Sequence, residues 1–111
     1  MKVFVTGVNG QLGHDVMNEL AARGHEAIGS DLSEAYSGIQ DGSAVCSAPY
    51  YQLNILDRTG VREAIFDLQP DAVIHCVGWT AVDVAGDEDK QALIREINVD
   101  GTQYIADAIR F

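Results

Sequence analysis

Three glycines at fixed spacing restrict this chain more than anything else in it: Thr6-Gly7-Val8-Asn9-Gly10-Gln11-Leu12-Gly13. The run stands between a β-branched stretch, Lys2–Thr6, and a segment whose apolar residues Leu12, Val16, Met17, Leu20 and Ala21 recur at helical spacing. A G-x-x-G-x-x-G turn that closes a strand and opens a helix divides its work among the three positions. Gly7 permits the tight turn. Gly10 lets backbone N–H groups approach a pyrophosphate with no Cβ in the way, and Gly13 lets the helix lie close to the sheet. The helix N-terminus adds orphan N–H donors and partial positive charge, so the combination predicts a dinucleotide site.

An acid at the right place strengthens that expectation. Asp31 closes the second strand-like stretch, eighteen residues beyond Gly13, where a carboxylate hydrogen-bonds an adenosine ribose. The plainer reading, an aspartate that merely ends a strand, stands beside it. In the ribose role Asp31 repels a 2′-phosphate, and no Lys or Arg occurs between Gly24 and Asp57 to neutralise one. The expected cofactor is NADH in preference to NADPH.

The rest of the chain alternates between strand and helix periods without repeats. A helix is expected from Gln11 to Arg23, ended by Gly24, then strands at Glu26–Gly29 and Tyr50–Leu53. Asp57 reads as the N-cap of a helix running to Leu68 and stopped by Pro70. Asp71–Val77 is nearly apolar throughout, as strands buried on both faces of a parallel sheet are. A last helix spans about Asp87 to Ile109, with Leu93, Ile97, Gly101, Tyr104, Ile105 and Ala108 on one side. Asp87, Glu88 and Asp89 in its first turn suit the helix dipole. This β-α-β-loop-β-α-β-α order implies an α/β, doubly wound parallel sheet of about four strands, order 3-2-1-4, with helices on both faces. Ser33–Pro49 lacks periodicity and is expected to be a functional lid or a mobile segment.

Ligands of such sheets lie beyond the carboxyl ends of the strands. Asn54 and Ile55, after the third strand, either flank an adenine or simply end the strand. Cys76-Val77-Gly78-Trp79-Thr80, after the fourth, suits the flat face of a nicotinamide riboside, although Trp79 also fits packing under the loop. His75, inside an apolar run, reads as a satisfied core imidazole rather than a catalytic base.

Composition excludes several classes. The 111 residues suffice for one domain, 1–111. Seven Lys and Arg against seventeen Asp and Glu give a net charge of −10, so no cationic face exists for nucleic acid or an anionic membrane. No apolar run is long enough for a signal peptide or a membrane span. Cys46 and Cys76 make no disulfide framework, which points to a reduced cytoplasmic setting. His14, His25 and His75 show no metal-ligand spacing, so no metal is expected.

Three blocks together, Thr6–Gly13, Trp-Thr-Ala-Val-Asp at Trp79–Asp83 and Asn-Val-Asp-Gly-Thr at Asn98–Thr102, resemble the extended short-chain dehydrogenase/reductases. Within these Rossmann-type proteins the likeness is greatest to the dTDP-4-dehydrorhamnose reductase branch, whose N-terminal cofactor-binding part it covers. The resemblance implies cofactor contacts at Gly7, Asn9, Gly10, Gln11, Leu12, Asp31, Asn54, Ile55, Cys76, Val77, Gly78 and Thr80. It places Thr80 and Val82 beside a sugar-nucleotide substrate, and Asn98 where the family's helix asparagine helps to position a catalytic lysine through water. The branch often has Asp where Asn54 stands and Ala at positions 76–78. The reaction implied is hydride transfer to C4 of a dTDP-4-keto-6-deoxysugar, a step of dTDP-rhamnose synthesis, with a tyrosine of lowered pKa donating the proton.

That tyrosine belongs to a Tyr-x-x-x-Lys pair, and these residues hold none. The only lysines are Lys2 and Lys90, and Gly86 stands four places before Lys90. The expectation is therefore the dinucleotide-binding half of a longer reductase, inactive alone and without catalytic residues of its own. The fourth strand would then be covered by the missing C-terminal part or by another subunit. The alternative is a non-catalytic dinucleotide-binding or regulatory subunit of the same fold.

Overall fold

A computed structural model describes residues 1–78 and 88–110. Four parallel strands, β1 (Lys2–Thr6), β2 (Glu26–Asp31), β3 (Tyr50–Gln52) and β4 (Ala72–His75), lie in the order β3-β2-β1-β4. The expected 3-2-1-4 arrangement is thus the observed one. Between them run α1 (Gln11–Ala22) and α2 (Arg58–Leu68). The last helix has three parts: α3 (Glu88–Arg95), a π-helical turn (Glu96–Asp100) and α4 (Gly101–Ile109).

The period of two in β1 sorts the core. Val3 and Val5 face Met17 of α1, whereas Phe4 faces the other way into a cluster with Ile28, Val61 and Ile65 of α2, and Ile105 and Ala108 of α4. All are buried.

Local chemistry sets the helix ends. Gly24, at φ +81°, closes α1 through its own N–H to the Ala21 carbonyl and the His25 N–H to the Leu20 carbonyl. Asp57 caps α2 by accepting the Gly60 N–H at 3.0 Å. That helix ends at Gln69, in the left-handed region at φ 46°, one residue before the proline expected to stop it.

Several expectations need correction. Strand β4 is shorter than Asp71–Val77 and is not buried on both faces: Ile74 is 36% exposed and its strand neighbours are half-buried. The cause is topological. Ile74 pairs with Val5 on the α1 side of the sheet, but α1 lies chiefly over β1 and β2. Leu93, expected on the inner side of the last helix, is 40% exposed. Ser33–Pro49 is fastened to α1 rather than poised as a free lid. The His14 ring meets the Tyr36 hydroxyl at 2.8 Å and the Asp41 carboxylate at 3.0 Å, and Asn18 donates to Ser43 and accepts the Val45 N–H. Strand β2 runs two residues beyond Gly29, which carries Asp31 to its end. Among the described residues no helix is long and apolar enough to cross a membrane. Trp79, Thr80, Val82 and Asp87 lie outside the described residues.

Candidate dinucleotide site

The glycine turn leaves β1 with the Gly7 and Val8 N–H groups donating to the Ser30 carbonyl at 2.9 and 3.3 Å. Two of its glycines are demanded by the fold itself. Gly7 has φ +77°, and a Cβ there would lie 2.7 Å from the Cys76 carbonyl carbon. At Gly13 a Cβ would sit 2.2 Å from the Gly7 oxygen, so α1 packs against the turn only without a side chain.

Gly10 differs. Its φ is −86°, and a Cβ would meet nothing closer than the Gly7 oxygen at 3.5 Å. Nothing within the described chain requires glycine there. It is the N-cap of α1 and provides no side-chain acceptor, so the Gln11 and Leu12 amides open the helix uncapped by any side chain. Bare N–H donors behind an absent Cβ form a cradle that fits a diphosphate.

Asp31 is joined to this turn. Its Oδ2 accepts the Asn9 N–H at 3.0 Å and its Oδ1 the Leu32 N–H at 2.8 Å. Both oxygens are oriented by the backbone, and each keeps acceptor capacity for a hydroxyl. The Asn9 side chain serves the neighbouring loop instead, donating to Ser33 Oγ and accepting the Ser37 N–H. The Gln11 amide donates to Asp15 along α1, and the Leu12 side chain is exposed.

From Asp31 a cavity of about 330 Å³ opens at the carboxyl ends of the strands. Asp31 and Leu32 supply one wall, Leu53–Leu56 the floor, and Val77 with Leu93 and Ile97 of the last helix the far side. Asn54 is exposed and turns its Oδ1 to the Leu56 N–H, which leaves its NH₂ outward, while Ile55 is buried. A somewhat larger cavity, about 370 Å³, lies between α2 and α4. It holds none of the residues predicted to contact a cofactor or substrate and sits away from the strand ends where open α/β sheets bind ligands.

Beside the turn, Cys76 is half-buried, and burial pushes its thiol above its ordinary pKa. Gly78 is exposed, and a Cβ on it would come within 3.7 Å of Asn98 Oδ1, so the π-helical turn lies close to the residues that follow β4. His75 is satisfied, as expected. Its Nδ1 lies 2.6 Å from Thr6 Oγ1 and its Nε2 3.1 Å from Thr102 Oγ1. Burial lowers its pKa below the ordinary value. The structure thus brings Gly7, Asn9, Gly10, Asp31, Asn54, Ile55, Val77 and Asn98 to one end of the sheet. Sequence reading missed Leu53, Leu56, Leu93 and Ile97 as cavity walls. It also missed Thr6 and Ser33, whose only signal was adjacency to Gly7 and closeness to Asp31.

A family model described as the RmlD substrate binding domain matches residues 1–110. The chain belongs to that family. A dTDP-4-dehydrorhamnose reductase of Streptomyces griseus is 32% identical over 107 residues, 96% of this chain and 29% of that protein. The methionine adenosyltransferase 2 subunit beta of Bos taurus is 28% identical over 105 residues, 95% of this chain and 28% of its own. Among solved structures, a Thermus thermophilus UDP-glucose 4-epimerase in complex with NAD superposes with a TM-score of 0.82 at 27% identity, covering 99% of this chain and 34% of the epimerase. This RmlD-family chain therefore spans about a third or less of the relatives it matches, and shares with them the Rossmann-type sheet.

Proposed function

We propose that this chain binds a nicotinamide dinucleotide, NADH in preference to NADPH, and forms the cofactor-binding part of a nucleotide-sugar reductase acting on C4 of a dTDP-4-keto-6-deoxysugar. The observation that carries this reading is Gly10, a glycine that nothing among the described residues requires, in front of uncapped helix amides and beside a backbone-oriented Asp31. The names of the relatives support it, a reductase of dTDP-4-dehydrorhamnose and an epimerase seen with NAD.

The Gln11 and Leu12 amides hold the diphosphate, Asp31 accepts from the adenosine ribose, and the apolar cavity beyond it takes the adenine with Asn54 and Ile55 at its rim. Cys76, Val77 and Gly78 border the nicotinamide half, and Thr80 and Val82 the sugar nucleotide. When bound, the nicotinamide supplies the hydride for carbonyl reduction. No Tyr-x-x-x-Lys pair occurs in these 111 residues, so they bind and orient but do not donate the proton. The β4 edge, with Ile74 exposed, pairs with a further strand from a longer chain or from another subunit. Two free thiols suit a cytoplasmic setting.

A second reading, a dinucleotide-binding regulatory subunit, is favoured by the likeness to a beta subunit of methionine adenosyltransferase. Calorimetric titration with NADH, followed by a turnover assay on a dTDP-4-keto-6-deoxysugar, separates these. Binding without turnover that a completing Tyr-x-x-x-Lys segment converts into turnover establishes the reductase. Binding that no such segment activates establishes the regulatory subunit. Absence of binding refutes both.

A further inference from the structure

The polar contacts around His75 determine which of its nitrogens carries the proton. Thr102 Oγ1 donates to the Asn98 carbonyl at 2.9 Å, so towards the ring it can only accept. The ring nitrogen 3.1 Å away, Nε2, must therefore be the donor. A neutral ring then has Nδ1 as an acceptor, and Thr6 Oγ1, 2.6 Å away, gives it its hydrogen. The Thr6 oxygen in turn accepts the Cys76 N–H at 3.1 Å. Every donor in this chain finds an acceptor, and the sequence is closed from the backbone of β4 to the carbonyl of Asn98.

This chain of bonds spans three elements. Thr6 is the last residue of β1 before the glycine turn, His75 is the last of β4, and Asn98 lies in the π-helical turn. Just beyond that turn Gly101 comes so close to the third strand's end that a Cβ would sit 2.6 Å from Ile55 Cδ1. One turn before Gly101, Ile97 lines the cavity next to Asp31, and Leu93 lies one turn further back. The height of this wall over the cavity is thus set where the helix is fastened to the sheet. Single π turns inside α-helices are frequent at functional sites.

We propose that His75, as the neutral Nε2–H tautomer, is a positioning residue that ties the π-helical turn to the ends of β1 and β4 and so sets the Leu93–Ile97 wall of the nucleotide cavity. It touches no ligand. Its effect on binding rests on the dinucleotide reading above, but its effect on the wall does not. A protonated ring would present N–H donors at both nitrogens, and Thr6 would lose the acceptor for its hydroxyl hydrogen. Acid therefore reverses the bond between His75 and Thr6 and rearranges this end of the fastening, while the bond to Thr102 is kept. Of the titratable groups on or beside the elements packed here, Lys2 lies on β1, Asp71 and Cys76 flank β4, and Arg95, Glu96, Asp100, Tyr104 and Asp107 lie on the last helix. Beside the ring's bonds to Thr6 and Thr102, none of these side chains is hydrogen-bonded to it.

The test uses the whole 111-residue chain. Imidazole ¹⁵N spectra should show His75 protonated at Nε2 alone at pH 7.5, and an Nδ1–H tautomer would overturn the proposal. Methyl spectra of Leu93 and Ile97 should shift on acidification below the ordinary imidazole range in the wild type and stay unchanged in His75→Gln, whose amide still donates to Thr102 but does not titrate. In Thr102→Val, which keeps the ring and its bond to Thr6, both methyls should move at neutral pH and NADH affinity should fall about tenfold. Unmoved methyls in Thr102→Val, or acid shifts that persist in His75→Gln, would refute the positioning role. If NADH binds none of the proteins, the dinucleotide reading fails, while the methyl spectra still decide the role of His75.

Discussion

Gly10→Ala separates binding from folding, because this position has room that its neighbours lack. A methyl group there would approach only the Gly7 oxygen at 3.5 Å, an ordinary contact, and φ −86° suits alanine. Replacing glycine by alanine at an N-cap costs on the order of 0.5–1 kcal/mol, so the melting temperature should fall by only a few degrees. The ligand is affected far more. A methyl in the cradle holds the diphosphate off the Gln11 and Leu12 amides, and a charge-assisted hydrogen bond is worth about 1.5–3 kcal/mol. Losing two of them weakens binding by at least about 3 kcal/mol, roughly a hundredfold or more in Kd. Isothermal titration of wild type and variant with NADH, alongside calorimetric melting of both, measures the two effects on the same samples. Gly13→Ala is the contrasting control, since its Cβ would fall 2.2 Å from the Gly7 oxygen and must push α1 off the turn. Wild-type affinity in a folded Gly10→Ala protein would show that no diphosphate lies on this turn.

Three further outcomes follow from other parts of the molecule. NADH should bind at least about tenfold more tightly than NADPH at low salt, and Asp31→Asn should remove most of that difference, because in the proposed binding mode the carboxylate faces the 2′ position, and no Lys or Arg lies near it in sequence; equal affinities for the two cofactors in the wild type would refute the role of Asp31. Ile105→Ala, at a site 4% exposed in the α2–α4 core, should lower stability by about 2–5 kcal/mol in urea titrations with an unchanged slope. Asp41 is held at about 2, below its ordinary 3.8, chiefly by hydrogen bonds from the Ser43 hydroxyl and N–H and to a smaller extent by His14. Its contribution to stability is therefore present above about pH 4 and lost as pH falls towards 2. Acid unfolding curves should show a stability loss in that window in the wild type that Asp41→Asn lacks.

Much of the fold was legible in local pattern. The glycine spacing, the switch between periods of two and 3.6, and Asp57 as an N-cap placed all four strands and the helices, because these signals act within a few residues of chain. Misreadings arose where burial depends on distant neighbours. Ala-Val-Ile-His looks like a strand covered on both faces, yet at the edge that the 3-2-1-4 order gives it Ile74 stays 36% exposed, with α1 chiefly over β1 and β2. Ser33–Pro49 carries no period, and its attachment comes from His14 and Asn18, which are far from it in sequence and adjacent only once α1 lies on the sheet.

The same division holds for the site. Residue order alone determined the Gly7–Gly13 turn, the acid at Asp31 and the absence of a Tyr-x-x-x-Lys pair, since each is a matter of which side chains are present or missing at given spacings. Tertiary structure decided which glycine faces open space rather than a neighbouring backbone, which atoms orient the Asp31 carboxylate, and that Leu93 and Ile97 line the cavity. These depend on distances between elements that only packing brings together, and a linear string of residues carries no such distances.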